Sequence, residues 1–387
     1  RDCSVRARPR LLGNVSRGAF RLACGSGFLA YMQPPALSSE SANCDPAPMD
    51  SRPGAAETLP MITRRTFALT AAAAAALAAP GLVRAQSEGL EDVFARLPQL
   101  HSLQIRRGSE TVFATARRGP GLDRLANIKS CSKSIVALLL GTAIVRGEIP
   151  SVTASLGEVA PGILPRDATQ GAADITMEDL VTLRAGLGRT SGPNYGDWVS
   201  SANWLADALT RPMVAEPGTR MLYSTGSTHI LGAALTEATG QSLLSLARSR
   251  LGDPLGIEIP AWARDPQGYY LGGNEMALRP TAMLKIAAML RDGGVHDGRQ
   301  VIPRDWIAAS VTPRTRSPWS GLSYGYGWFL SPSGYALARG YGGQIIAAHE
   351  GRDLAVAITS DPTLPARSGG YFGDLMRLLD GPIRGLA

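Results

Sequence analysis

Apolar and polar positions change their spacing several times along the 387 residues. In the first sixty positions neither a period of 2 nor one of 3.6 is sustained, so no element is expected there. From Leu103 to Ala116 two β-prone runs flank Gly108-Ser109, which predicts a hairpin. Residues 131–146 are almost uniformly apolar and predict a helix of about four turns, ending near Gly147. Thr176, three residues before Asp179, has the spacing of a helix-starting cap. Helical spacing recurs at 202–210, 228–250 and 280–292, with Pro and Gly breaks between. Beyond 320 the texture becomes short runs of Tyr, Trp, Val and Ile: Gly325–Leu330, Ala336–Arg339, Gln344–His349 and Leu354–Thr359. These predict antiparallel strands with tight turns, followed by an amphipathic helix at about 370–380. Strand patterns at both ends with helices between them imply one sheet closed by the two termini, with a helical region inserted at about 150–310. No internal repeat is visible.

The segment beginning Met61-Ile-Thr-Arg-Arg-Thr-Phe-Ala-Leu-Thr runs through alanines to Leu82-Val-Arg-Ala85-Gln86. A charged start, a short apolar run and small residues before a cleavage point are the marks of an export signal. Arg64-Arg65 gives it a twin-arginine character. The apolar run is short and alanine-rich for a membrane span, which takes about 20 apolar residues. The expectation is that Met61 is the true start, that 1–60 is upstream translation, that 61–85 is cleaved, and that 86–387 is a single periplasmic or secreted domain without stable membrane insertion.

This changes the reading of charge. Seven arginines against five acids in 1–60, and three arginines in 61–85, account for +5 of the formal +7 and leave +2 for 86–387. No basic stripe interleaved with aromatics remains, so nucleic acid is not an expected partner. Cys3, Cys24 and Cys44 fall in the discarded part, leaving Cys131 without an internal disulfide partner. His101, His229, His296 and His349 are scattered, with no ligand spacing, so neither a metal nor another cofactor is expected.

The chain holds only three lysines, and two of them lie in Asn127-Ile-Lys-Ser-Cys-Ser-Lys133. Ser130 and Lys133 are three residues apart, within reach on one side of a helix start. A serine hydroxyl needs a base to become a nucleophile. Lysine can serve if burial and the helix N-terminal field disfavour its ammonium form. Arginine could not, because guanidinium keeps its proton in proteins. Surface charge is the plainer use of a lysine, and Ser-x-x-Lys is a common spacing. A second stretch, Pro217 to Gly232, brings Tyr223 and small hydroxyl residues in front of a helix, where a phenol lowered in pKa by a cation could pass protons. A third, Arg339-Gly340-Tyr341-Gly342-Gly343-Gln344, has glycines that let a strand approach a ligand and offer an N–H to an oxyanion.

In this order and spacing the three motifs resemble the serine β-lactamase and penicillin-binding-protein superfamily, over most of 95–380. The similarity is greatest to its class-C-like branch of esterases and amide hydrolases, of the 6-aminohexanoate-oligomer-hydrolase type. The resemblance implies an α/β fold of the α+β kind: an antiparallel sheet flanked by helices, plus an all-helical region, with the site in the cleft between. It makes Ser130 the acylated nucleophile, Lys133 its base partner and Tyr223 the first residue of a Tyr-x-Asn element. Backbone N–H groups of Ser130 and Gln344 would form the oxyanion hole. Thr225, Tyr341, Gly342 and Gly343 would meet a small acyl substrate. Thr225 stands where the family has asparagine, and Tyr341 where it has a cation or imidazole. Losing a charge-assisted bond weakens carboxylate recognition by about 1.5–3 kcal/mol, which favours a small ester or amide over a β-lactam or a D-amino-acid peptide.

Three rivals remain. Gly321-Leu-Ser323-Tyr-Gly325 fits a nucleophile elbow, but poor helix material follows, and no acid-then-histidine order does. The same fold could serve as a penicillin-binding-like sensor that does not turn over. Cys131 is a weak rival nucleophile, because its side chain leaves the helix about 100° from that of Ser130. Trp198, Trp204, Tyr269 and Tyr270 could line an acyl pocket or pack in the core.

Overall fold

The computed structural model describes residues 89–386; the segment 61–85 read as an export signal, and the sixty residues before it, lie outside them. Twelve strands are present among the described residues: β1 Leu100–Arg107, β2 Glu110–Ala116, β3 Ala126–Lys129, β4 Met276–Leu278, β5 Val295–His296, β6 Arg299–Gln300, β7 Thr315–Arg316, β8 Ser323–Tyr324, β9 Phe329–Leu330, β10 Ala336–Arg339, β11 Ile345–His349 and β12 Leu354–Ser360. Eight form one sheet in the order β2-β1-β12-β11-β10-β9-β8-β7. Its neighbours run antiparallel, and β1 from the front of the domain lies beside β12 from its end, with Leu103 opposite Ile358. The fold is therefore the α/β arrangement expected, closed by both ends of the described chain.

Period-2 alternation sorts the sheet into two buried faces. Leu337, Ile345, Ala347, Val356 and Ile358 point to one, where they meet Phe372 and Leu375 of the last long helix, Tyr371–Leu378. Ala338, Ile346, Ala348, Ala355 and Ala357 point to the other. The second face is mostly alanine, so helices can approach it closely. Helix α1 (Ser132–Val145) and the helix Pro280–Arg291 share its core. Twelve of the fourteen residues of α1 are buried, which explains why its sequence lacks a polar stripe.

The capping pattern at Thr176 is realised. Its hydroxyl accepts from Asp179 N, and the Asp179 carboxylate accepts from Thr176 N. The helix it starts is short, Met177–Val181. The predicted helix over 228–250 breaks at Gly240, which adopts left-handed backbone at φ 65°, giving α2 (Thr225–Thr239) and then Leu243–Ala247. Within the stretch read as helical, β4 instead pairs with β3. Three residues of Met-Ala-Leu have no periodicity to betray them; their pairing partner lies about 150 positions away and creates the strand.

Candidate active site

The pairing of β3 with β4 shapes the approach to Ser130. Lys129, the last residue of β3, has left-handed backbone at φ 52°, which costs a non-glycine residue about 1–2 kcal/mol. Side chains hold it there. Asn127 Oδ1 accepts from Lys129 N at 2.8 Å, Asn127 Nδ2 and Lys129 Nζ both reach Glu275, and Ser132 Oγ donates to Lys129 O at 2.6 Å. This corner turns the chain from strand to helix and leaves Ser130 at the mouth of α1.

Lys133 lies one turn on and is 3% exposed. Its Nζ stands 3.2 Å from Ser130 Oγ, 3.3 Å from Thr225 Oγ1 and 2.6 Å from the carbonyl oxygen of Gly273. Thr225 is in turn bonded to Ser191, whose hydroxyl also takes the Thr225 N–H. Burial draws the Lys133 amine down to about 7, with the Cys131 thiol opposing. A neutral amine has two hydrogens and one lone pair. Gly273 and Thr225 can take the hydrogens, which leaves the lone pair for the Ser130 hydroxyl.

Tyr223 completes the cluster, with Lys133 Nζ 5.1 Å from its ring centre and Phe329 stacked beside it. The expectation of a phenol lowered by a neighbouring cation is not met. Burial pushes Tyr223 up to about 12, against the opposing pull of a Ser130 hydrogen bond and the Arg339 charge. The nearby amine, itself lowered to about 7, is uncharged at the higher pH where a phenol would ionise, so it exerts little pull there. Tyr223 keeps its proton across the working pH range and can donate it.

The turn between β10 and β11 carries the third motif. Gly340, Tyr341 and Arg339 line the cavity beside Ser130, whereas Gly342, Gly343 and Gln344 do not. Gln344 is fully buried. Its carbonyl accepts from Gly340 N, its side-chain oxygen from Gly342 N, and its amide donates to Ser360 O. Gly343 makes the turn at φ 95°. A Cβ on Gly340 would fall 2.7 Å from Ile128 O, so this glycine lets the strand end close on β3. Among the described residues no hydrogen bond occupies the N–H of Ser130, of Tyr341 or of Gln344.

The cavity has a volume of about 920 Å³. It is lined on one side by Ser130, Tyr223 and Thr225, and on another by Arg339, Tyr341 and the 365–369 loop. Arg339 was missed as a candidate although it sits in the quoted stretch. Its guanidinium donates to Ala366 O and Ser368 Oγ, stacks on Phe372 and has no carboxylate partner among the described residues. Desolvation lowers it to about 10, so it is still charged at neutral pH. The loss of charge expected from Tyr341 is thus offset two residues away. Gly273 and Ser191 were also missed, since nothing local marks a carbonyl or a hydroxyl that works through Lys133 and Thr225.

The rival features are placed elsewhere. Ser323 lies in β8 and leads into further strand, not into a helix. Cys131 is fully buried, donates to Gln344 O, and has its thiol pushed up by burial, so it forms no thiolate nucleophile. Trp198, Trp204, Tyr269 and Tyr270 do not line the cavity; Trp198, Trp204 and Tyr270 are core residues.

A serine held against a buried lysine of lowered pKa, in a cleft between an antiparallel sheet and a helical region, defines a serine hydrolase of the β-lactamase fold. The chain belongs to the Beta-lactamase family, whose model matches residues 102–378. Solved structures agree in fold. A candidate 6-aminohexanoate-dimer hydrolase from Bacillus anthracis is similar at 15% identity and TM-score 0.64, over 75% of this chain and 82% of that one. EstCE1, a hydrolase with promiscuous acyltransferase activity, is 16% identical at TM-score 0.62, over 78% and 97%. A D-stereospecific amidohydrolase from Streptomyces sp. is 17% identical at TM-score 0.56, over 72% and 92%. No curated protein matches the chain.

Proposed function

We propose that this protein hydrolyses a small ester or amide through an acyl-enzyme on Ser130. The observation that carries the reading is the buried Lys133 amine 3.2 Å from Ser130 Oγ. Lys133 takes the hydroxyl proton as Ser130 Oγ attacks the substrate carbonyl. The N–H of Ser130 and one from the β10–β11 turn, of Gln344 or of Tyr341, stabilise the oxyanion. When the intermediate collapses, the leaving alkoxide or amine takes a proton from Tyr223, which recovers one from Lys133. Water then cleaves the acyl-enzyme by the reverse relay.

The test is labelling of residues 86–387 with a fluorophosphonate. Ser130 is expected to be labelled, and Ser130→Ala or Lys133→Arg to abolish labelling; an unlabelled wild-type protein would leave only the non-hydrolytic sensor. Arg339 favours a second reading, a β-lactamase or D-amino-acid peptidase, because a guanidinium in the cavity suits a substrate carboxylate. Rapid turnover of a chromogenic cephalosporin would select it over short p-nitrophenyl esters and linear ω-amino-acid amides. Export to the periplasm or beyond is part of the proposal; it is supported by Arg64-Arg65 and is tested by a reporter fused to residues 61–85.

A further inference from the structure

A buried histidine–aspartate pair lies outside the cavity and is unused by the reaction as described. His229 Nε2 is 3.0 Å from Asp265 Oδ2, and both side chains are fully buried. The edges of Trp198 and Trp204 pack on the His229 ring. Asp265 Oδ1 accepts the N–H groups of Gln267 and Tyr269. On its other side, His229 Nδ1 accepts the N–H of Gly272 at 3.4 Å. An accepting Nδ1 places the ring proton on Nε2, where Asp265 receives it. Gly272 lies so close to α2 that a Cβ would fall 2.3 Å from Thr228 O. The next residue is Gly273, whose carbonyl holds Lys133 Nζ at 2.6 Å.

We infer that Asp265 and His229 are positioning residues for Lys133: they clamp the Gly272–Gly273 corner against α2, so that the Gly273 carbonyl fixes the amine on Ser130 and the corner keeps water from it. Thr225 and His229, four apart on one face of α2, then grip the amine and the corner together. The inference rests on the acyl-enzyme reading, but it can be measured without turnover.

Substitution at the clamp has a definite consequence. In Asp265→Asn the two backbone N–H groups require the amide oxygen on their side, which turns the NH₂ toward His229 Nε2. The ring must then carry its proton on Nδ1, facing the Gly272 N–H. His229→Gln keeps a donor for Asp265 but removes the acceptor for Gly272, whereas His229→Asn keeps that acceptor. The titratable groups packed about the amine are Cys131 and Tyr223, both raised by burial, with Arg339 acting on Tyr223. None of these three changes charge between pH 5 and about 9.

The chain has three lysines, so ¹³Cε-lysine NMR gives three resolvable signals, with Lys133 assigned by Lys133→Arg. Asp265→Asn and His229→Gln are expected to raise the Lys133 midpoint by about one pH unit or more, as water reaches the amine. The acid limb of kcat/KM should move with it, and His229→Asn, which keeps the acceptor for Gly272 but leaves Asp265 without its donor, should shift the midpoint less than His229→Gln. A Lys133 midpoint at or below the wild-type value in both Asp265→Asn and His229→Gln would overturn the clamp. Failure of Ser130 labelling in the wild type would instead overturn the acyl-enzyme reading. If Asp265→Asn does not fold, His229→Gln decides alone.

Discussion

At the scale of single residues, the chemistry depends on where protons sit. Burial, the largest influence on both Lys133 and Tyr223, drives the amine down to about 7 and the phenol up to about 12. The amine is thus about half deprotonated near neutrality while the phenol keeps its proton, a division that suits the proposed relay. It also carries a cost in stability. The folded state binds a proton at Lys133 less readily than the unfolded chain does. Between about pH 7 and 10.5 the unfolded state therefore holds more protons, and stability rises with pH across that window. Relative to Lys133→Met, which removes the titration, the wild type should gain up to about 1.4 kcal/mol per pH unit between pH 7.5 and 9 in denaturant melts. A parallel pH dependence in both proteins would show that the amine is not depressed. Activity should climb through a limb near pH 7 as the same group deprotonates.

Elements are fixed by contacts their own sequences do not reveal. Helix α1 contains Gly141, a residue that costs a helix interior about 1 kcal/mol relative to alanine. The reason lies on another helix. A Cβ at Gly141 would meet the Trp306 ring at 2.2 Å, and the Trp306 indole donates to Ala137 O. Gly141→Ala is therefore expected to destabilise by about 1–3 kcal/mol despite its better helix propensity. Paired with Trp306→Phe, the loss should shrink; equal losses in both backgrounds would show that the two sites do not touch. The β10–β11 hairpin makes a similar point. Its glycines were legible as a close-approach motif. Which of its N–H groups faces the cavity was not, because the turn at Gly343 decides where strand ends and hairpin begins.

Among the described residues, the cavity exists because the β10–β11 turn at one end of the sheet, the start of α1 and the helical region converge. Ser130 and Lys133 come from one turn, Tyr223 and Thr225 from the head of α2, Gly273 from the approach to β4, and Arg339 from the end of β10. Arg339 is where the assembled site differs most from the expectation, since it restores a cation that position 341 lacks. Arg339→Gln should raise KM for a carboxylate-bearing ester about tenfold or more relative to its neutral counterpart. The ratio of the two KM values is the relevant measurement, because a general loosening would move both alike. An unchanged ratio would exclude Arg339 from substrate recognition.

The sequence by itself determined the strand–helix–strand order, the buried helix and the one serine–lysine–tyrosine set able to do this chemistry. Periodicity, capping and the difference between an amine and a guanidinium are local properties that survive without a structure. The pairing of β4 with β3, the lines drawn from Asp265 through His229 and Gly273 to Lys133, and the presence of Arg339 in the cleft were decided only by the tertiary structure. Each depends on groups brought together from distant parts of the chain, and no pattern of neighbouring residues encodes which carbonyl or N–H will face a site.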